Sequence, residues 1–206
     1  MNVQALNKEL GNIDIYLLDQ ILKARYSNQD RILDAGCGEG RNLVYFLNNQ
    51  FKVYGIDKNQ AALQMLKFVA RSIDPQFDES QISTGYLDQL PYTDQYFHHI
   101  ICTAVLHFAE DMRHFHAMIK ELVRVLKPGG SIFIRMASNI GLENKVIPQN
   151  SDQYQVPDGS IRFLLTKKLL KEIMETHHLD FLEPLQTVNV NDQHCQSNLL
   201  LKRQNT

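Results

Sequence analysis

The run from Ile32 to Asn42, Ile-Leu-Asp-Ala-Gly-Cys-Gly-Glu-Gly-Arg-Asn, restricts the fold of this chain more than any other segment. A hydrophobic stretch ends in an acid, Asp34, and glycines follow at positions 36, 38 and 40. Glycine reaches positive φ without a side-chain clash and lets another group approach the backbone. The segment from Arg41 to Asn49 then carries Leu43, Phe46 and Leu47 at helical spacing. This is the pattern of a strand that turns sharply into a helix starting near Gly40. It leaves room for a ligand at the turn and aims the unpaired N–H groups of the helix start toward it.

The loop is not the dinucleotide fingerprint Gly-x-Gly-x-x-Gly/Ala, because Arg41 occupies its sixth position. Three further landmarks follow in order. Val53-Tyr54-Gly55-Ile56-Asp57 reads as a second strand ending in an acid, and such a carboxylate can accept from both hydroxyls of a ribose. Gly85-Tyr86-Leu87-Asp88 comes next, with Leu90-Pro91 behind it. Leu126-Lys127-Pro128-Gly129-Gly130 then punctuates a helix and leads into the apolar run Ile132-Phe133-Ile134.

With these four landmarks in this order, the chain resembles the class I S-adenosylmethionine-dependent methyltransferases of the small-molecule type. The resemblance is close over residues 30–136 and loose beyond. The Gly40-Arg41-Asn42 ending is similar to that of tellurite- and thiopurine-type members. The resemblance implies S-adenosylmethionine as cofactor and a role for each matching position. Asp34 orients the amino group of the methionine part. Gly36, Cys37 and Gly38, with Asn42 beyond them, pass beneath the amino-acid tail and ribose. Asp57 takes the ribose hydroxyls and Lys58 flanks the adenine, where the family usually carries an apolar residue. Asp88 accepts from the adenine amino group between Leu87 and Gln89, and Cys102, Thr103 and Ala104 line the methionine side.

Along the chain, residues 13–26 carry a helical stripe within an N-terminal cover, 1–28. Strands are expected at about 31–35, 52–56, 81–85, 99–103 and 131–136. Helices follow Asn59 and Thr166, both suitable N-caps, and another covers about 112–126. Strand–helix alternation implies an α/β fold with parallel pairing and right-handed crossovers. Two late strands, 181–190 and 194–202, close the sheet. The resemblance makes the whole a Rossmann-like, doubly wound, mostly parallel seven-stranded sheet, order 3-2-1-4-5-7-6, with one antiparallel strand and helices on both faces. The interval 137–165 lacks periodicity and is long for a loop in a compact domain, which marks it as a substrate lid.

The chain has 206 residues, which suits one domain, 1–206. Its net charge of −2, with no block of like charge, leaves no electrostatic footprint for nucleic acid. The N-terminus lacks a signal-peptide pattern, and no apolar run approaches the ~20 residues of a membrane span. Cys37, Cys102 and Cys195 show neither disulfide nor zinc spacing, so a cytoplasmic setting is expected. His98-His99, His114-x-His116 and His177-His178 join no Cys or carboxylate at metal-site spacing, so no metal is expected.

Methyl transfer by in-line displacement mainly needs the acceptor held at near-attack distance. His107, four residues past Thr103, is the candidate base. Arg135, Ser138 and Arg162 are the acceptor-side candidates, the arginines because a planar fork of donors suits carboxylate or phosphate. No Asn/Asp-Pro-Pro-aromatic block follows the fourth strand, which disfavours nucleic-acid amino methylation. Arg41 and Asp88 disfavour a nicotinamide oxidoreductase. A small-molecule acceptor is favoured, with a protein side chain, or a binding module without turnover, as alternatives.

Overall fold

The computed structural model describes residues 2–149 and 152–205. Residues 1, 150, 151 and 206, which fall within the expected cover, lid and C-terminus, lie outside the description.

Residues that alternate between two apolar faces form the central sheet: β1 (Arg31–Ala35), β2 (Lys52–Asp57), β3 (Ile82–Thr84), β4 (Phe97–Thr103) and β5 (Leu126–Ser138). In β1, Ile32 packs toward one core and Leu33 toward the other, as the period of two requires. On the first face lie α2 (Ile15–Leu22), α3 (Val44–Asn48) and α4 (Gln60–Ile73), burying Leu17, Phe46 and Leu66. On the second lie α5 (Met112–Val125) and α6 (Lys167–Thr176), burying Phe115, Leu122 and Ile173. Helix α1 (Val3–Leu10) buries none of its side chains. Asn48 ties it to α3 by donating to the carbonyls of Lys8 and Glu9.

The C-terminal part supplies β9 (Leu179–Phe181), β10 (Gln186–Val190) and β11 (His194–Arg203). The sheet order is β3-β2-β1-β4-β5-β11-β10, with β9 also on β11. Strand β11 runs antiparallel to β5, β9 and β10, while the strands from β5 to β3 are mutually parallel. This is the expected order, with the sixth strand split. The break falls at Leu182–Leu185, where Pro184 has no N–H for a ladder. The order reverses between β1 and β4, so a crevice opens at their C-terminal ends.

Four expectations on boundaries need correction. The stripe at 13–26 forms one helix, α2, shortened to Ile15–Leu22, and a separate helix, α1, precedes it across Gly11 (φ +63°). The helix after the glycine loop starts at Val44, because Arg41–Leu43 form a turn closed by the Leu43 N–H on the Gly40 carbonyl. Loop backbone, and not a helix end, therefore faces the crevice. Strand β5 begins at Leu126, directly after α5. The interval 137–165 is not bare loop: it holds a small antiparallel sheet of β6 (Ile147–Pro148), β7 (Gln153–Gln155) and β8 (Ile161–Phe163). Phe163 anchors this sheet by stacking on Phe115 of α5, with ring centroids 4.7 Å apart.

Candidate functional site

The glycine loop is held to the end of β2. The N–H groups of Gly36 and Cys37 both donate to the Ile56 carbonyl, at 2.8 and 3.1 Å. Gly36 has φ +82°, and a Cβ there would stand 2.2 Å from Cγ2 of Val105, so only glycine fits. At Gly38 (φ +51°) a Cβ would meet nothing within 4 Å, which is the open room a ligand needs. The Gly38 N–H donates to Asp57 Oδ2 (2.9 Å), and the Asn59 N–H to Asp57 Oδ1 (2.8 Å). Two backbone donors therefore set the Asp57 carboxylate and leave it further lone pairs for hydroxyl donors.

Asp34 is the anomaly of the loop. It is 1 % exposed, and neither carboxylate oxygen has a hydrogen-bond partner among the described residues. Burial pushes its pKa up to about 7; the Arg41 guanidinium pulls it down and Asp57 pushes it further up. A buried carboxylate without a donor is unfavourable unless a cation or a hydrogen-bond donor completes it.

Beside this loop lies a cavity of about 250 Å³, whose wall includes Gly36 and Asp57 but neither Asp34 nor Gly38. Gly36, Asp57 and Lys58 form one wall, and Gly85, Tyr86 and Leu87 another. Thr103, Ala104 and Val105 close the end of β4, and Phe108, His114 and Met118 roof it from the α5 side. Ala104 holds φ +59°, unusual for a side-chain-bearing residue, and its N–H donates to the Arg135 carbonyl. The wall stops at Leu87: Asp88 and Gln89 are exposed in the turn beyond it. A larger cavity of about 620 Å³ lies elsewhere, between α6 and β9, and contains none of the residues read from the motifs.

Asn42 lies behind the cavity wall and joins distant elements. Its Oδ1 accepts from the Asp14 N–H (3.1 Å) and its Nδ2 donates to Thr103 Oγ1 (2.8 Å). Asp14 caps α2 through the Tyr16 N–H and pairs its other oxygen with Arg135 Nη1. The Arg135 guanidinium stands 5.1 Å from the centre of the Tyr16 ring.

The acceptor-side expectations fare unevenly. Arg135 is not a free fork but the partner of a buried aspartate. Ser138 is fully buried, and its hydroxyl accepts from Ser197 within the sheet (2.8 Å). Arg162 does lean over the rim, 4.9 Å from the centre of the Phe108 ring. His107 is 7 % exposed and is not part of the cavity wall. Its Nδ1 accepts from the Ala137 N–H (3.4 Å), which puts the ring proton on Nε2. Burial, aided by the Arg162 charge, lowers its pKa to about 4. This histidine is a neutral structural group that holds the loop after β4 to β5. The histidine in the wall is His114, whose Nδ1 accepts from the Glu110 N–H (3.3 Å). Sequence reading missed it, along with Tyr86, Val105, Phe108, Met118 and Asp14. Only Asp14, two residues before Tyr16, carried a local signal, that of a helix cap.

A family model described as "Methyltransferase domain" matches residues 33–134. The ubiquinone/menaquinone biosynthesis C-methyltransferase UbiE of Chromobacterium violaceum is 27 % identical over 167 residues, which is 70 % of this chain and 65 % of that protein. The chain thus spans just under two thirds of that relative's length. An uncharacterized methyltransferase of Bacillus subtilis is 29 % identical over 112 residues, 53 % of this chain and 44 % of that protein. Among solved structures, a SAM-dependent methyltransferase from Methanosarcina mazei superposes with a TM-score of 0.71 at 19 % identity, covering 89 % of this chain and 97 % of that one. The 1,6-didemethyltoxoflavin-N1-methyltransferase of Burkholderia thailandensis, solved with S-adenosylhomocysteine, gives 0.67 at 14 % identity, covering 98 % and 82 %. At such identities these superpositions establish the shared fold.

Proposed function

Because this chain belongs to the class I S-adenosylmethionine-dependent methyltransferase superfamily, we propose that it transfers a methyl group from that cofactor to a small-molecule acceptor. The observation that carries the reading is the buried, donor-less carboxylate of Asp34 beside a glycine loop and an acid-ended β2. An amino-acid ammonium completes Asp34, and a ribose diol completes Asp57. The bare backbone at Gly38 gives the tail its path. Lys58, by its aliphatic stem, and Leu87 enclose the adenine. In this reading the ring lies against Tyr86 and Leu87, which line the cavity, rather than against Asp88 or Gln89.

Bound S-adenosylmethionine supplies an already electrophilic methyl group. The chain's own contribution is then to position the acceptor and exclude water. Thr103 and Ala104 stand where the methionine side of the cavity meets the end of β4, and Arg162 guards the rim. His107 carries no proton transfer in this reading, since its Nδ1 is engaged and it lies outside the cavity wall. The interval 137–165, with its own small sheet, serves as the substrate lid. Cys37, Cys102 and Cys195 are free and buried, which suits a reducing, cytoplasmic setting. Among the described residues no helix is long and apolar enough to cross a membrane.

The test is incubation of the purified protein with methyl-labelled cofactor and a cell extract split by size. Label is expected in the low-mass fraction. Label found only in protein would point to a side-chain acceptor, and binding without any transfer to a module without turnover.

A further inference from the structure

Helix α5 is pinned to the segment that follows β3. Arg124 donates to the carbonyls of Leu90 (3.0 Å) and Tyr92 (2.8 Å), and Glu121 accepts from the Leu90 N–H (2.8 Å). Met118 packs in one core cluster with Leu87 and Leu90, and it lines the cavity. His114 lines the cavity as well. Positions 114, 118 and 121 stand at i, i+4 and i+7, which is a single stripe of a helix. At 1.5 Å per residue, His114 lies roughly 10 Å back along this stripe from the Leu90 anchor. It therefore belongs to the same side of the cavity as Leu87, which encloses the adenine in the reading above.

The His114 ring is held from both ends. Its backbone N–H donates to Oδ1 of Asp111, the N-cap of α5 (2.7 Å), and its Nδ1 accepts from the Glu110 N–H (3.3 Å). With Nδ1 accepting, the ring proton sits on Nε2. This half-buried Nε2–H has no acceptor among the described residues. The other polar groups of the wall are engaged or face solvent. Asp57 holds two backbone donors, Thr103 Oγ1 accepts from Asn42, and Lys58 and Tyr86 are exposed. Asp88, the adenine partner that the family pattern implies, is exposed in the turn outside the wall. Adenine offers ring nitrogens N1, N3 and N7, which accept and do not donate. A fixed N–H at the base side of the cavity is their complement.

We propose that His114 is the purine-reading residue of this chain, its Nε2–H donating to a ring nitrogen of the adenine of S-adenosylmethionine. The proposal rests on the methyltransferase reading and adds a cofactor-specificity residue to it. The base is then recognised from α5, by a side-chain N–H, and not by a carboxylate in the turn after β3. A site built on such a donor rejects a base that lacks the accepting nitrogen, because the donor is left unpaired in the wall.

The test is calorimetric titration of the protein with S-adenosylhomocysteine and with its 1-deaza, 3-deaza and 7-deaza analogues, in each of which one ring nitrogen becomes C–H. At least one analogue is expected to bind the wild type about tenfold or more weakly than the parent compound. In His114→Phe and His114→Leu, which keep apolar bulk and lose the donor, that gap should close to about twofold or less. Both variants keep the ribose and tail contacts, so the parent compound should still bind them, about tenfold more weakly than it binds the wild type. Equal binding of the parent and all three analogues by the wild type, a gap that survives both substitutions, or loss of all binding in both variants overturns the proposal. Failure of the wild type to bind S-adenosylhomocysteine would instead overturn the methyltransferase reading.

Discussion

The Asp34 carboxyl makes cofactor affinity depend on pH in a direction that can be worked out. Burial raises its pKa from 3.8 to about 7 in the ligand-free fold, a difference of about 3 units. At 1.36 kcal/mol per unit this is about 4 kcal/mol favouring the protonated form. For a carboxyl with a raised folded pKa, the folded state holds the proton while the unfolded state releases it. Stability therefore falls as pH rises from about 4 to 7, and the cost is fully present above pH 7. An ammonium partner needs the ionised form, which is roughly nine-tenths populated at pH 8 and one-tenth at pH 6. S-adenosylhomocysteine affinity should then drop about tenfold between pH 8 and 6, with a proton released on binding. Asp34→Asn should abolish this pH dependence and raise the melting temperature above pH 7. It should weaken binding on the order of 10- to 100-fold through loss of a buried charge-assisted bond. Calorimetry at pH 6, 7 and 8, in buffers of different ionisation enthalpy, reads both the affinity and the proton. Affinity that is flat over this range, together with an Asp34→Asn variant within twofold of wild type, would refute the reasoning.

Three further outcomes follow from the same geometry. Gly36→Ala places a methyl 2.2 Å from Val105 at φ +82° and should cost about 1–3 kcal/mol in urea unfolding, with weaker cofactor binding. Arg135→Met removes one guanidinium from the buried Asp14 carboxylate, which keeps Arg41 at 3.7 Å and the Tyr16 N–H, and should cost about 1–3 kcal/mol; no measurable loss would show that the pair is dispensable. His107→Gln should leave the shape of the pH–rate profile unchanged over pH 6–9, because the wild-type ring, with a pKa of about 4, does not titrate there. A lost acidic limb in that variant would restore His107 as a base.

What could be read from sequence was local. Asp34, Gly36 and Asp57 lie at or within a residue of the ends of β1 and β2, so spacing along the chain reports their positions in space. The sheet order followed from strand–helix alternation and the family pattern, and failed only where Pro184 interrupts the edge strand. The polar row behind the cavity wall is built the other way. Asn42 reaches Asp14 and Thr103, residues 28 and 61 positions away, and Arg135 reaches Asp14 across 121. No pattern along the chain encodes such pairings, so Arg135 looked like a free donor. Strands β6 to β8 are two or three residues each, too short to show a period of two.

The account stands on Asp34 and Asp57 jointly gripping one ligand. A crystal structure grown with S-adenosylhomocysteine tests this most directly. It should show the ligand's amino nitrogen within hydrogen-bonding distance of Asp34, and the ribose hydroxyls on Asp57. A ligand whose amino group lies away from Asp34, leaving that carboxylate still without a donor, would contradict it.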